Sequence, residues 1–303
     1  MTFAMREAQG TPCSSFSAGM GIVLGTQFYR ASADEIRRQD RPAQALVGLR
    51  HVVPVNLQWT DEVVERPGLR TIPVLRQDAR LITRYKGRRK PIATEVFDAL
   101  ATIAREGGHR YFGFLNADIV VTQPVVDLIL EAGKQTYTFS RTDLDEQGQP
   151  AGLMLYGMDL FVVDVNWWDA FRRRFRPYVL GERCFDNVYT AILMCHGDGL
   201  VVNRHGYLLH AQHSVGDRLL NPYGQYNRFL ASLDSRYFSM WVDYCERLVG
   251  LHRRDAPESE ERALADDVFR WRPSVAAASW QAGRQVKARL QYWRQRAQWQ
   301  QEA

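Results

Sequence analysis

Apolar positions along the first half of the chain alternate between two periods. Residues 20–26 (MGIVLGT) form a short continuous apolar run, the pattern of a buried strand. Ser32 then opens a helical stretch with Asp34 and Glu35 in its first turn, where carboxylates favour a helix start. Strands are predicted at His51 to Leu57 and Leu69 to Leu75, separated by turn-like polar residues. Between Pro91 and Glu106, Ile92, Val96, Leu100 and Ile103 keep a helical period, and Gly107-Gly108 stops it. A further strand at Tyr111 to Leu115 and a helix from about Gln123 to Ala132 follow. Strands alternating with helices predict an α/β fold with a mainly parallel central sheet.

The second half is less regular. Thr136 to Ser140 and residues 158–165 (MDLFVVDV) read as strands, with residues 142–152 (TDLDEQGQPAG) as a polar loop between them. Trp167 to Arg176 and Val188 to Met194 read as helices, and residues 200–210 as strand material interrupted by a turn. Asp255 to Glu261 (DAPESEE), acidic and containing Pro257, is the best linker candidate. Beyond it, Val286, Leu290, Trp293 and Ala297 mark one stripe of a helix. The resulting expectation is a leader at 1–18, a body at 19–254 divided near 122, and a linker with a helical tail at 255–303.

Composition adds little to this picture, and charge more. With 46% hydrophobic and 24% charged residues, the 303-residue chain has an ordinary globular composition. Its net charge is +5, but the segment from Trp271 onward holds six Lys/Arg against Glu302 alone. The body is therefore close to neutral, which argues against a nucleic-acid-binding protein, whose basic residues belong in a cleft. The basic tail fits either a helix packed on the body or on a second copy, or a peripheral membrane contact with Trp and Arg at headgroup level. The packed reading is the one preferred. Cys13, Cys184, Cys195 and Cys245 are scattered without metal or redox spacing, as expected of free thiols in a reducing cytoplasm.

Candidate chemistry centres on residues 111–123, YFGFLNADIVVTQ, where an apolar strand runs into Asn116-Ala117-Asp118. Ligands of open α/β sheets bind beyond the carboxyl ends of the strands, so Asp118 could hold a divalent cation there. Equally, it could cap the following turn. The acids Asp143 and Asp145 make a D-x-D, but in a polar stretch of the kind usually solvated, and they are set aside.

The strand followed by N-x-D and an apolar-Thr-Gln-Pro continuation resembles the metal-binding strand end of GT-A-fold, family-2-like glycosyltransferases, with asparagine where D-x-D is usual. Gln39, Ala45-Leu46 and the helix after Lys90-Pro91 resemble that family's nucleotide-binding half. Residues 157–161 (GMDLF) resemble its acceptor-side strand, residues 181–187 (GERCFDN) its late acidic segment, and His210-x-x-His213 its late histidine. The resemblance covers about residues 20–215. It implies a nucleoside-diphosphate-sugar donor, a glycan or lipid-linked glycan acceptor, and Mn2+ or Mg2+ held by Asp118 with His213 or His210. Asn116 would then hydrogen-bond the donor or a metal-bound water. Asp186 would be the base, or else the N-cap of the next helix, with Asp159 as the second candidate. Lys90, its neighbours in residues 86–90 (KGRRK), or Arg141 would contact the diphosphate, and Asp78 the donor base or ribose. Such an enzyme would work in surface-polysaccharide or glycoconjugate assembly, in the cytoplasm or at the inner membrane face, with homo-oligomerisation left open. The alternative on the same fold, a sugar-phosphate nucleotidyltransferase, calls for a Gly-rich loop after the first strand, and LGTQFYR carries a single Gly.

Overall fold

Successive strand–helix units of the N-terminal half build one edge of a seven-stranded sheet whose strands lie in the order Gly199–Val202, Thr136–Phe139, Leu160–Asp164, Tyr111–Leu115, Ile22–Thr26, Val52–Trp59 and Arg70–Leu75. The computed structural model describes residues 21–29, 33–85, 87–211, 221–271, 282–283 and 285–294. The first four sheet strands in sequence are β1 (Ile22–Thr26), β2 (Val52–Trp59), β3 (Arg70–Leu75) and β4 (Tyr111–Leu115). Between them lie α1 (Ala33–Gly48), α2 (Ala79–Thr83) and α3 (Ala93–Glu106). These four strands are mutually parallel. β9 (Leu160–Asp164) runs against its neighbours β4 and β6 (Thr136–Phe139), and β10 (Gly199–Val202) pairs parallel to β6. The result is the mainly parallel α/β architecture the sequence predicts.

Alternation along each strand divides the core between the two faces of the sheet. Val23, Val55, Leu57, Phe112, Phe114, Phe161 and Val163 face one way, toward α3, α5 (Val165–Phe171) and α6 (Phe185–His196). Ile22, Leu24, Tyr111, Leu115, Tyr137, Leu160 and Val162 face the other, toward α1 and α4 (Gln123–Ala132). Phe97 of α3 sits at the centre of the first layer, with its ring within about 6 Å of Phe112, Phe161, Trp168 and Tyr189. Gly25 lets α3 approach so closely: a Cβ there would lie 2.2 Å from Leu100 Cδ2.

A second, four-stranded sheet, β5-β11-β7-β8, adjoins the carboxyl ends of β4 and β6. It consists of β5 (Ile119–Val121), β7 (Thr142–Leu144), β8 (Pro150–Leu153) and β11 (Leu208–Ala211). The segment expected as a polar loop at 142–152 is thus a hairpin, with Asp145 turning the chain by accepting from the N–H groups of Gln147 and Gln149. Three helices that the apolar period did not single out follow: α7 (Pro222–Leu233), α8 (Ser235–His252) and α9 (Glu258–Val268). The expected linker at Asp255 to Glu261 is corrected by α9, for which Pro257 is the N-cap residue and Glu258, Glu260 and Glu261 fill the first turn. Those acids sit where the helix dipole favours them, so the charge pattern marked a helix start rather than a break.

The described part of the tail packs on the body as a helix. Residues 285–294 are helical, but Ala288 and Tyr292 supply the packed face, with Tyr292 stacked 4.2 Å from Phe229 of α7. The stripe Val286, Leu290 and Trp293 is instead about three-fifths exposed, at 59%, 59% and 60%. Ala297, the leader at 1–18, Cys13 and His213 lie outside the described residues.

Candidate active site

The chain leaves β4 at Asn116 beside the start of β9. There the Asn116 backbone N–H donates to the Asp159 carbonyl at 3.3 Å, and its side-chain amide donates to Asp159 Oδ1 at 2.7 Å. The other oxygen of Asp159, Oδ2, accepts from Arg141 Nη1 at 2.9 Å, and Arg141 Nε donates to Asp143 Oδ1 at 2.8 Å. Asp143 Oδ1 also meets His210 Nδ1 at 2.9 Å, and the far ring nitrogen, Nε2, lies 3.5 Å from Asp118 Oδ2. One continuous polar chain therefore runs Asn116–Asp159–Arg141–Asp143–His210–Asp118.

Sheet register explains the assembly. His210 pairs with Asp143 across β11 and β7, and with Ile119, the residue after Asp118, across β11 and β5. The first member, Asn116, ends β4, which neighbours β1 where the strand order reverses direction. That crevice is the usual ligand site of an open α/β sheet.

The electrostatics follow from burial and pairing. Burial opposes ionisation of Asp143, but Arg141 and then His210 outweigh it and hold the carboxyl below its ordinary value. Burial likewise disfavours the Arg141 cation, and the charges of Asp159 and Asp143 more than offset this, raising its pKa. Asp143, set aside on sequence as solvated, is part of the site. It lies in strand β7 with 15% of its side chain exposed. The usable signal was the alternation of residues 142–144 (TDL) directly after a strand.

Asp186 is reached from the other side. It lies in the first turn of α6, whose N-cap residue is Cys184 in the left-handed region at φ 74°, so the alternative of Asp186 as N-cap does not hold. Burial first, and the Asp159 charge second, push Asp186 up to about 7, against the backbone N–H groups of Asn187, Met158 and Asp186 itself. The chain at Gly157 passes close by: a Cβ there would lie 3.3 Å from Asp186 Oδ2. Asp186 lines a cavity of ≈ 850 Å3 shared with Arg141, Tyr156, Arg183, Arg228 and Ser235. Arg228 and Ser235 carried no sequence signal, because α7 and α8 were not foreseen, and in residues 181–187 only the acid was singled out, not Arg183.

The remaining sequence candidates are engaged elsewhere. Lys90 Nζ is 2.7 Å from Glu182 Oε1, a buried internal pair. Asp78 caps α2 through Arg80 N–H at 2.9 Å and pairs with Arg80 and Arg89 at 2.7 and 3.3 Å. These arginines, with Arg88, Tyr29 and Trp59, line a second cavity of ≈ 280 Å3 at the carboxyl ends of β1 and β2. Arg88 lies 3.4 Å from the Tyr29 ring centroid and Arg89 3.8 Å from that of Trp59. Of the described residues 87–90, then, Gly87, Arg88 and Arg89 line this cavity and Lys90 does not.

For a divalent cation the donor set is Asp118 with His210 Nε2. Among the described residues no group of three or more His, Cys, Asp or Glu is arranged to hold a metal ion. The two donors fit a cation whose remaining positions are filled by ligand oxygens. The Asp143 contact to His210 Nδ1 is the outer partner that usually orients a ligating imidazole.

No protein-family model matches the chain, and no curated protein matches it by sequence. Among solved structures it is similar to S. aureus TarS 1–349 in complex with UDP-GlcNAc, with a TM-score of 0.49 and 7% identity over 74% of this chain and 72% of that one. It is also similar to S. aureus TarS 1–349 on its own, with a TM-score of 0.46 and 8% identity over 74% and 71% of the two chains. Likeness of this extent carries nothing about the reaction.

Proposed function

We propose that the protein is a metal-dependent glycosyltransferase, moving a sugar from a nucleoside-diphosphate sugar to a hydroxyl of a glycan or lipid-linked glycan. The observation that supports this reading is the polar chain from Asn116 to Asp118 at the carboxyl edge of the sheet, with the Asp186 carboxyl across an open cavity. Asp118 and His210 Nε2 would hold Mn2+ or Mg2+, with imidazole favouring Mn2+. When bound, the cation supplies positive charge against a departing diphosphate. The arginine-lined second cavity, with Tyr29 and Trp59, suits the nucleoside diphosphate itself.

In the transfer, an acceptor oxygen bonds to the anomeric carbon while the bond from that carbon to the diphosphate oxygen breaks, its electron pair leaving with the diphosphate. The hydroxyl proton passes to Asp186, whose pKa near 7 suits a general base at neutral pH. Asp159, with both oxygens engaged, acts by positioning Asn116 and Arg141 and by raising Asp186. The reading includes a cytoplasmic enzyme that touches the inner membrane face through its basic tail. Among the described residues no helix is long and apolar enough to cross a membrane.

The test is calorimetry and thermal shift with UDP, GDP, ADP and their sugars, with and without Mn2+. At least one nucleotide should raise Tm in a Mn2+-dependent way, and Asp118→Ala should remove the Mn2+-dependent part. Absence of any nucleotide response in the wild-type protein overturns the reading.

A further inference from the structure

The cavity beside Asp186 holds more positive charge than its own structure uses. Arg141 is matched by Asp143 and Asp159. Arg183 and Arg228 also line the cavity, both exposed, and among the described residues neither forms an ion pair. Arg228 and Arg183 both favour the Cys184 thiolate at the start of α6, opposing burial and Asp186, so the positive charge of each is felt at this end of the cavity. Exposed arginines are commonly just solvated, and two alone would decide nothing.

Ser235 is the second, independent observation. It is 3% exposed and lines the same cavity, yet among the described residues its Oγ has no hydrogen-bond partner. A buried hydroxyl left unpaired is destabilising, and a ligand atom can recover that loss. Tyr156, 59% exposed, adds a ring face on the cavity lining.

We infer that this cavity is the acceptor site and that it takes an acceptor bearing an anionic group, phosphate or carboxylate, near the reacting hydroxyl. This rests on the glycosyltransferase reading for the word acceptor, but not for the anion. Arg183 and Arg228 hold the anion in the bidentate manner suited to guanidinium, Ser235 Oγ pairs with an acceptor oxygen, and the hydroxyl is left beside Asp186. A neutral glycan would leave both arginines unmatched and gain only the ring face and Ser235.

The experiment titrates the full chain by calorimetry with glycerol 3-phosphate and glucuronate, against glycerol and glucose as neutral counterparts. Both ionic strength and the UDP–Mn2+ load are varied. The expected result is at least about 10-fold tighter binding of one or both anions than of the neutral compounds, weakening with salt. Whichever anion leads identifies the group as phosphate or carboxylate. The double variant Arg183→Ala/Arg228→Ala should lose that preference, and Arg183→Lys/Arg228→Lys should recover part of it. Thermal denaturation run alongside verifies that each variant is folded. Equal binding of charged and neutral probes, or an anion preference that survives in a folded double alanine variant, overturns the inference. If anion preference is present while no nucleotide binds, the site stands and the glycosyltransferase reading falls.

Discussion

Asparagine at 116, rather than a second acid beside Asp118, has a local physical cause. Its amide donates at 2.7 Å to Asp159 Oδ1, and that carboxylate is already committed to Arg141 on its other oxygen. An aspartate at 116 would set two carboxylates at hydrogen-bonding distance, and one of them would have its pKa strongly raised. Asn116→Asp is therefore expected to destabilise the fold rather than add a metal ligand. A carboxyl whose folded pKa is raised costs stability as pH climbs past its unfolded value near 4, so the loss should be larger at pH 8 than at pH 5. Denaturant melts at both pH values measure it, and an equal loss at the two would sink this account. Asp186 follows the same logic with a catalytic consequence. With its carboxyl raised to about 7, the transfer rate should rise with pH along a limb centred near that value. Asp186→Asn should lower kcat by roughly 10²–10⁴-fold with donor affinity retained. It should also hold or raise Tm at pH 8, because an amide does not pay the desolvation of a half-buried charge. Near-normal turnover in that variant excludes Asp186 as the base. Asp143→Asn tests the orientation of His210: Mn2+ affinity in the nucleotide complex should fall by about 10–100-fold.

At the scale of elements, the strands β1 to β4 and the helix α3 were legible because each carries a single period with a definite stop. Gly107 ends α3, and the apolar run of β4 ends at Asn116. The small second sheet was not, because its strands are three or four residues long and pair mostly with segments distant in sequence. No local window contains the contact between His210 and Asp143, 67 residues apart, so the sequence offered separate motifs where register brings the residues together. Asn116 and Asp118 were singled out at a strand end and Asp186 through the family resemblance of residues 181–187, whereas the engagement of Lys90 by Glu182 was not foreseen. In the tail helix the sequence showed the apolar stripe but not which face docks: Tyr292 stacks on Phe229, and Val286, Leu290 and Trp293 are exposed. Exposed Lys287, Arg289 and Arg294 accompany that stripe, a combination that suits an anionic lipid surface. Full-length protein should pellet with vesicles rich in phosphatidylglycerol, and Val286→Ser/Leu290→Ser/Trp293→Ser should pellet several-fold less while Tm is retained. Equal pelleting of the two removes the membrane contact.

Over the whole molecule, the candidate acceptor cavity is a joint product of two parts that the sequence does not link. One wall comes from the sheet body, through Arg141, Tyr156, Gly157 and the start of α6; the other comes from α7 and α8, through Arg228, Ser232, Ser235 and Phe238. What ties the second wall to the first is Asp234, between α7 and α8. It is 5% exposed, paired with Arg176 at 2.8 Å and accepting from Tyr178 OH at 3.0 Å, both on the segment that leads from α5 to α6. Asn227 adds a backbone clasp, accepting from Val179 N–H at 2.8 Å and donating to the Val179 carbonyl at 2.9 Å. Burial raises the Asp234 pKa despite Arg176 and Tyr178, so the group is an expensive device for stability and a directional one for placement. Asp234→Ala leaves a buried Tyr178 hydroxyl and the Arg176 cation without their acceptor, a loss of about 1–3 kcal/mol. Its distinguishing effect should fall on one substrate only. With Ser235 adjacent in sequence and Arg228 on the helix before it, loosening this joint should raise the acceptor KM several-fold. Nucleotide affinity should stay close to wild type, because α7 meets the arginine-lined cavity at its opposite, N-terminal end, where Tyr223 OH donates to the Arg88 carbonyl. Steady-state kinetics in acceptor, beside calorimetry with the nucleotide, separates the two. A variant that loses stability and weakens both substrates alike would make Asp234 a general stabiliser with no special hold on the cavity.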